Sequence, residues 1–197
     1  MQIGLFFGSF NPIHVGHLII ADTIATSGLV GQVWLVVSPQ NPFKKNNTLL
    51  HEFDRFQMVR LAIADNPRLN VTDIEFHLPK PSFTIDTLTY LQEKYPQHQF
   101  KIIIGEDNLS NFEKWKNHEQ ILQYHEILVY PRPNSPQTPW HQHPKVKFVT
   151  APLIELSATY IRQRIRTGLS VKYLVHEDVE NFMRAKKFYQ WNFLSKC

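Results

Sequence analysis

Two histidines three positions apart, His14 and His17, stand in the segment of the sequence best suited to bind an anion, residues 8–17. The segment follows an apolar run typical of a β-strand and precedes a run of helical period. In an open parallel sheet, a ligand crevice forms where such a strand ends, and the unpaired N–H groups of the next helix attract phosphate. A helix beginning near Ile13 would place both imidazoles on its first turn, where each can donate an N–H to phosphate oxygens.

Two glycines in the same segment favour a nucleotide. Gly8 permits a tight exit from the strand, and Gly16 leaves room for a base or ribose against the helix backbone. Zinc binding is a weaker hypothesis, because zinc helices favour histidines four positions apart with a carboxylate nearby. The glycine spacing fits neither a Walker A loop nor a dinucleotide fingerprint. A lone histidine is more often an ordinary hydrogen-bonded residue, so the hypothesis depends on the pair.

A second candidate anion site lies near the other end of the chain, at residues 156–162. The pattern predicts a helix of about three turns, with Ser157 as its N-cap and Gly168 just past its end. Long side chains on a helix lean toward its N-terminus, so Arg162 can reach the end that Ser157 and Thr159 surround. The alternative is a capped surface helix whose arginines are solvated.

These segments need a scaffold, and the apolar pattern predicts an α/β fold. Short runs rich in Val, Ile and Phe alternate with runs of helical period, which indicates a Rossmann-like, doubly wound parallel sheet with helices on both faces. Five to six strands are predicted, at residues 2–7, 33–37, 69–72, 100–104, 126–130 and 146–149. Apolar residues at helical spacing mark the helix faces that cover the sheet: Leu18, Ala21 and Ala25; Phe56, Val59 and Ile63; Ile85, Leu88 and Leu91.

Two stretches lack any such period. Residues 38–50 carry prolines and lysines after a predicted strand, where α/β enzymes place loops that cover a ligand, so we expect a lid there. Residues 131–145 contain five of the 13 prolines, which predicts an irregular surface excursion. We expect a single domain over residues 1–197, with a small helical region at about 157–188.

Composition narrows the class of protein. The chain has 197 residues, 43% hydrophobic and 19% charged, which excludes collagen, coiled coil and wholesale disorder. A net charge of +4 suits phosphorylated small molecules, and the scattered basic residues argue against a nucleic-acid partner. The single cysteine, Cys197, excludes a disulfide framework within the chain. No apolar stretch is long enough for a membrane span, so we expect a cytoplasmic protein without a membrane partner. The sequence leaves a homo-oligomer open.

Taken together, residues 8–17 and 156–162 resemble the nucleotidyltransferase superfamily that carries an H-x-G-H signature and a C-terminal I-S-x-T-x-I-R motif. Within that superfamily, the chain resembles the bacterial nicotinate-nucleotide adenylyltransferases from the first strand to about Phe188. Four internal stretches carry this second resemblance: residues 42–44, 55–58, 82–88 and 105–109, with Trp115 behind the last.

The resemblance implies an enzyme that joins the adenylyl group of ATP to nicotinate mononucleotide and releases pyrophosphate, with Mg²⁺ held mainly by the ATP phosphates. It implies that His17 lies nearest the reacting phosphorus and that Lys44 and Arg162 bind pyrophosphate. The implied catalytic residues are His14, His17, Lys44 and Arg162. The implied ATP contacts are Gly8, Ser9, Phe10, Gly16, Ser157 and Thr159. The implied mononucleotide contacts are Thr84, Gly105, Asp107, Trp115 and Arg132, and no side chain is expected to bind a metal. Trp115 could equally be a core residue.

Three positions depart from the family pattern. Asn11 stands where aspartate is common, Phe43 where a histidine precedes the lid lysine, and Glu106 where alanine is usual. Asn11 keeps the turn chemistry, because its amide can still bond local backbone. The purpose of Glu106 stays open.

Several alternatives remain at this point. A preference for nicotinamide mononucleotide, or for both mononucleotides, stays open, since a carboxylate and a carboxamide differ by one group. A nucleotide-binding regulatory protein without turnover is the alternative from another class. Phosphopantetheine adenylyltransferase is disfavoured, because that family has threonine at the position of His14 and a shorter chain.

Overall fold

A computed structural model of the chain describes residues 1–39 and 49–190. Within these residues lies one sheet of six parallel strands in the order β3-β2-β1-β4-β5-β6. The strands are β1 (Gln2–Gly8), β2 (Gln32–Val37), β3 (Leu69–Thr72), β4 (Gln99–Gly105), β5 (Ile127–Tyr130) and β6 (Val146–Phe148). The six predicted strands are confirmed, each end falling within one residue of its predicted position.

Side chains of the central strands alternate between two apolar layers, because successive residues of a strand point to opposite faces. On β1, Ile3 and Leu5 are buried in one layer, whereas Phe6 is buried in the other. On β2, Trp34 is buried in the layer of Ile3 and Leu5, and Leu35 is buried in the layer of Phe6. A strand covered on both faces needs an almost continuous apolar run, which is what β1 and β2 contain.

Helices cover both faces of this sheet, as predicted. The α-helices of the described chain are α1 (Val15–Thr26), α2 (Glu52–Ala62), α3 (Thr84–Lys94), α4 (His118–Tyr124), α5 (Ala158–Arg166) and α6 (Glu177–Ala185). The first, second, fifth and sixth bury apolar residues in the layer that contains Phe6, for example Met58 and Ile161. The third and fourth bury theirs in the opposite layer, for example Leu88 and Ile121.

The two irregular stretches differ in how far they can be described. Residues 131–145 form the predicted excursion, with one short 3-10 turn at Pro139–Gln142. Other 3-10 segments follow β3 and β4, at Ile74–His77 and Glu106–Lys114. Most of the predicted lid, residues 40–48, lies outside the described residues. Of the helices described, none is both long and apolar enough to cross a bilayer.

The direction of winding reverses between β1 and β4. The chain proceeds outward from β1 to β3 and then continues on the other side of β1 with β4. Because the connections that leave β1 and β4 turn to opposite faces, a crevice opens between them at the carboxyl edge of the sheet. Residues 8–17 and Gly105 lie at this edge, where the sequence analysis expects a ligand.

Candidate active site

Two adjoining cavities open at the carboxyl edge of the sheet. The larger, about 380 Å³, is called the polar cavity and is lined by residues that follow β1 and β5 and by the start of α5. The smaller, about 190 Å³, is called the apolar cavity because aromatic and aliphatic residues form part of its wall, beside polar residues and glycines. The residues that line both are Phe6, Phe7, Gly8, Ser9, Asn108 and Tyr130. A ligand that spans this boundary would have one polar end and one aromatic end.

His14 and His17 lie face to face in the polar cavity. His14 has extended backbone and is the N-cap of α1, so the helix begins at Val15, two residues after Ile13. The backbone N–H of His14 donates to Nδ1 of His17 at 3.3 Å, and the two rings stack with their centres 3.7 Å apart. Since Nδ1 of His17 accepts, the neutral ring carries its proton on Nε2.

Both imidazoles are neutral near pH 7. Burial, assisted by the positive charge of Arg132, lowers the pKa of His14 to about 4. Burial, and then the charges of His14 and Arg132, hold the pKa of His17 well below its usual value. Among the described residues, Nδ1 of His14 has no hydrogen-bond partner. The pair therefore offers hydrogen-bonding nitrogens to an anion without adding charge of its own.

Phe10 lines the polar cavity but presents little surface to it. The residue is only 1% exposed, and its ring lies edge-on to that of His17 with the centres 5.1 Å apart. A Cβ at Gly8 would lie 2.8 Å from the Phe10 ring, which explains the glycine at the strand end. A Cβ at Gly16 would lie 3.1 Å from the ring of His14. Phe10 and the two glycines thus permit the packing that supports the histidine pair.

The start of α5 faces the same cavity. Ser157 caps the helix as predicted, with Oγ accepting the N–H of Tyr160 at 3.2 Å. Gly168 follows the helix with φ at +70°, a conformation that favours glycine. Arg162 leans back toward the N-terminus, where Nη2 donates to Oγ1 of Thr159 at 3.0 Å. All three polar residues predicted in α5 and its cap line the polar cavity.

Asn11 joins the two segments that the sequence analysis brings together. Nη1 of Arg162 donates to the carbonyl oxygen of Asn11 at 2.7 Å, across 151 positions of the chain. The side-chain oxygen of Asn11 accepts the hydroxyl of Tyr189 at 2.7 Å and the N–H of Leu50 at 3.3 Å. Burial raises the pKa of the Tyr189 hydroxyl, which therefore stays a donor. No local sequence pattern signals the contact made by Tyr189.

Arg55 is a second anchor that sequence reasoning does not assign to the site. The side chain lies near the N-terminus of α2 and is fully buried. Its guanidinium donates at 2.6 to 3.0 Å to four carbonyl oxygens, those of Ser9, Ser38, Pro39 and Leu50. It thereby joins the exits of β1 and β2 to Leu50, just before the N-cap of α2.

Arg132 lies on the polar cavity, whereas the sequence analysis groups it with the mononucleotide-binding residues. Its Nη1 donates to the carbonyl oxygen of Ile154 at 3.0 Å. Its backbone N–H donates to Oε2 of Glu106 at 3.3 Å, and Oε1 of Glu106 lies 3.1 Å from Nε2 of His141. Glu106 therefore ties the proline-rich excursion to the end of β4, which accounts for a carboxylate at this position.

Asp107 and Lys44 are two further predicted site residues. Asp107 is absent from the described residues that line either cavity, and its Oδ1 lies 3.7 Å from Nε of Arg132 at the exposed rim. Lys44, predicted to bind pyrophosphate, lies outside the described residues, as does Phe43. The roles of Asp107 and Lys44 stay predictions.

The apolar cavity contains Thr84, Gly105 and Trp115 from the predicted mononucleotide set. Trp115 is half-buried, packs on Phe112 with ring centres 5.4 Å apart, and also lines the cavity. It therefore combines the core role with a face available for stacking. The first turn of α3, which begins at Thr84, has no side-chain cap, and Thr84 lines the cavity. A helix end left uncovered by a cap therefore lies at the cavity wall.

Glu75 is a buried acid in the wall of the apolar cavity that no sequence pattern signals. Its carboxylate oxygens accept the hydroxyl of Ser82 at 3.0 Å and the hydroxyl of Thr87 at 2.8 Å. Burial raises the pKa of this carboxyl, and the hydrogen bonds partly offset that effect. The contacts tie the segment after β3 to the first turn of α3.

Comparison with known proteins agrees with this geometry. The model of the cytidylyltransferase-like family matches residues 5–164, a range that includes both segments of the polar cavity. A relative from Cytophaga hutchinsonii is named a probable nicotinate-nucleotide adenylyltransferase and is 60% identical over 96% of this chain and 98% of its own. A relative of the same name from Flavobacterium psychrophilum is 46% identical over 96% of this chain and 100% of its own.

A solved structure shows the same fold at low sequence identity. The nicotinic acid mononucleotide adenylyltransferase of Plasmodium falciparum, complexed with NaAD, has a TM-score of 0.82 at 19% identity and covers 97% of this chain and 98% of that chain. The family match and the named relatives thus define the class, a nucleotidyltransferase. The chain belongs to the cytidylyltransferase-like family and, within it, to the nicotinate-nucleotide adenylyltransferases.

The buried histidine pair makes the free energy of unfolding depend on pH. Unfolded His14 has a pKa of 6.5 and folded His14 a pKa of about 4, so between these values the unfolded chain binds more protons. Stability contributed by His14 is therefore present above pH 6.5 and lost as pH falls toward 4. We expect His14→Gln to remove up to about 3 kcal/mol of this pH dependence, measured by urea unfolding at several pH values.

The exposed His77 provides a matched control, because it lies outside both cavities. His77→Gln should keep a pH dependence close to that of the wild type. The same slope in His14→Gln and in the wild type would contradict the burial of a neutral imidazole at this position.

Proposed function

We propose that the chain transfers the adenylyl group of ATP to nicotinate mononucleotide, forming deamido-NAD and pyrophosphate. The observation that carries this proposal is the junction of the two cavities at the carboxyl edge of the sheet. One cavity offers N–H donors and guanidinium groups for phosphates, and the other offers an aromatic face and an uncovered helix end for a flat, anionic ring. The names of the relatives support the same activity.

The reaction needs no nucleophile from the protein. An oxygen of the mononucleotide phosphate, already anionic near pH 7, attacks the α-phosphorus of ATP. A new P–O bond forms as the bond to the leaving pyrophosphate breaks. The protein contributes alignment of the two phosphates and stabilisation of the charge that grows on the α-phosphoryl and pyrophosphate oxygens. This accounts for a site made of donors and cations.

In this proposal, His17 contacts the reacting phosphoryl group. Its Nδ1 is occupied by the backbone N–H of His14, so Nε2–H is the donor left for a phosphate oxygen. His14 contacts the triphosphate beside it, and Arg162 binds the leaving pyrophosphate together with Lys44. The walls around the triphosphate are formed by residues after β1 and at the start of α5: Gly8, Ser9, Gly16, Ser157 and Thr159.

The mononucleotide occupies the apolar cavity. Its ring stacks on Trp115, and its carboxylate accepts backbone N–H groups near Thr84 and Gly105, which lie in the same wall. Arg132 lines the polar cavity, where the mononucleotide phosphate attacks ATP. Its positive charge therefore binds the mononucleotide phosphate. Asp107, at the rim, is the candidate for the ribose hydroxyls.

Nucleotidyltransferases generally use a divalent metal such as Mg²⁺. In residues 1–39 and 49–190, no cluster of three or more His, Cys, Asp and Glu side chains could hold one. Mg²⁺ takes oxygen ligands and readily keeps water and phosphate in its coordination sphere. The donor set therefore fits an ion that enters with the ATP phosphates and adds positive charge to the leaving group.

Turnover with ATP and each of the two mononucleotides tests the proposed function directly. The uncovered helix end favours a carboxylate over an uncharged carboxamide. We expect kcat/KM for nicotinate mononucleotide to exceed that for nicotinamide mononucleotide at least about tenfold, measured by pyrophosphate release. Absence of adenylyl transfer to either substrate would refute the function, and equal values would make the enzyme dual-specific.

His17→Ala tests the phosphoryl contact. We expect kcat to fall about 100-fold or more while KM changes little, because a lost transition-state donor costs roughly 3 kcal/mol. Steady-state kinetics give the effect, and circular dichroism checks that the variant folds. His77→Ala serves as the control and should keep wild-type turnover. A kcat for His17→Ala close to that of the wild type would contradict the contact of His17 with the reacting phosphoryl group.

Trp115→Ala tests the stacking face. We expect KM for the mononucleotide to rise about tenfold, with a smaller change for ATP, because loss of an aromatic platform costs about 1–3 kcal/mol. Trp140 is a matched control, since it packs on Phe112 at the same ring distance of 5.4 Å but lies outside the apolar cavity. Equal changes in the KM values for ATP and the mononucleotide would contradict the stacking role, and Trp115 would then be a core residue only.

A further inference from the structure

Lys116 brings a positive charge to the apolar cavity. Its side chain lines that cavity beside Phe83, Thr84 and Trp115. Among the described residues in the wall, Lys116 is the only basic side chain and Glu75 is the only acidic one. No role for Lys116 is predicted from the sequence, because a lone lysine after a tryptophan has no distinguishing pattern.

Two contacts hold the ammonium group at the start of α3. Nζ donates to both carboxylate oxygens of Asp86 at 3.0 Å and lies 4.9 Å from the centre of the Phe83 ring. Phe83 is the N-cap of α3 and Asp86 belongs to its first turn. A cation beside a helix N-terminus opposes the helix dipole, and the carboxylate of Asp86 offsets that cost. Asp86 itself lies outside the apolar cavity, so the ammonium is held at the start of α3, against the Phe83 ring that lines the cavity.

The position of Lys116 corresponds to the ring end of the mononucleotide. The phosphate of that substrate must lie where the two cavities meet, because it attacks ATP. Ser9 and Asn108 line both cavities, whereas Lys116 and Trp115 line only the apolar one. The pyridine ring and its substituent therefore extend toward Lys116.

The substituent is the one group by which the two mononucleotides differ. Nicotinate carries a carboxylate, which an ammonium attracts, and nicotinamide carries an uncharged carboxamide, which it attracts much less. Glu75 opposes the carboxylate from the same wall, although Ser82 and Thr87 share its charge through their hydroxyls. Lys116 is the described side chain that offsets this repulsion.

We propose that Lys116 is a specificity-determining residue that favours nicotinate over nicotinamide mononucleotide, with Asp86 setting how much of its charge reaches the ring substituent. This inference rests on the proposed function, because it concerns the choice between two acceptors of the adenylyl group. It adds a side-chain charge to the backbone N–H groups as the basis of that choice.

Two substitutions should move the specificity in opposite directions. Lys116→Met keeps an unbranched side chain but removes the charge, so the ratio of kcat/KM for the nicotinate to the nicotinamide substrate should fall about fivefold. The change should lie in KM for nicotinate mononucleotide, with KM for ATP unchanged. Asp86→Asn leaves the ammonium uncompensated and should raise the ratio about twofold. Lys116→Arg keeps the charge and should restore most of the wild-type ratio.

A similar pair elsewhere supplies the control. Lys80 bonds to Glu52 at 2.7 Å, its side chain is 44% exposed against 45% for Lys116, and it lies outside the apolar cavity. Lys80→Met should leave the ratio at the wild-type value. An unchanged ratio in Lys116→Met, or shifts of the same sign in Lys116→Met and Asp86→Asn, would overturn the proposal.

Calorimetric binding of the two mononucleotides gives the same ratio without turnover. If the wild-type protein transfers no adenylyl group, the proposed function is refuted. If the wild-type protein prefers the nicotinate substrate and Lys116→Met does not alter that preference in kinetics or binding, only the role of Lys116 is refuted. The two failures are therefore distinguishable.

Discussion

The hydrogen bond from Arg162 to the carbonyl oxygen of Asn11 holds the polar cavity together. It joins segments 151 positions apart, and Tyr189 bonds to the same asparagine from the C-terminal side. A carbonyl oxygen carries no formal charge, so Arg162 is positioned without being neutralised. A carboxylate partner would hold the guanidinium as firmly but would cancel the charge that a phosphate needs. Arg132 also donates to a carbonyl oxygen, that of Ile154, although the carboxylate of Asp107 at the exposed rim lies 3.7 Å from its Nε.

The neutral histidines complete this electrostatic arrangement. Two arginines already line the cavity, and Arg132 is among the causes that lower the pKa values of His14 and His17. Two further cations in so small a space would repel the arginines and destabilise the protein before substrate arrives. Neutral imidazoles avoid that cost and still supply donors. The polar cavity thus offers a polyphosphate two kinds of group: arginine charges that are held in place, and uncharged imidazole donors.

The parts of this structure that depend on near neighbours in sequence are predictable, and those that depend on distant contacts are not. Strand boundaries and the cap at Ser157 follow from patterns a few residues long. The meeting of His17 and Arg162 follows from the topology together with the family resemblance, because carboxyl ends of parallel strands share one edge. Local patterns do not reveal the residues whose partners lie far along the chain or whose neighbours are unremarkable: Arg55, Glu75, Lys116 and Tyr189. The single-domain organisation and the role of Lys44 stay predictions.

Arg55 shows how such an architecture can outlast large changes in sequence. Its four acceptors are all main-chain oxygens, which every amino acid provides. The loops it joins can therefore exchange their side chains, and with them their ligand preferences, while the anchor itself persists. An anchor of this kind lets one scaffold diversify at its rim while the fold is kept.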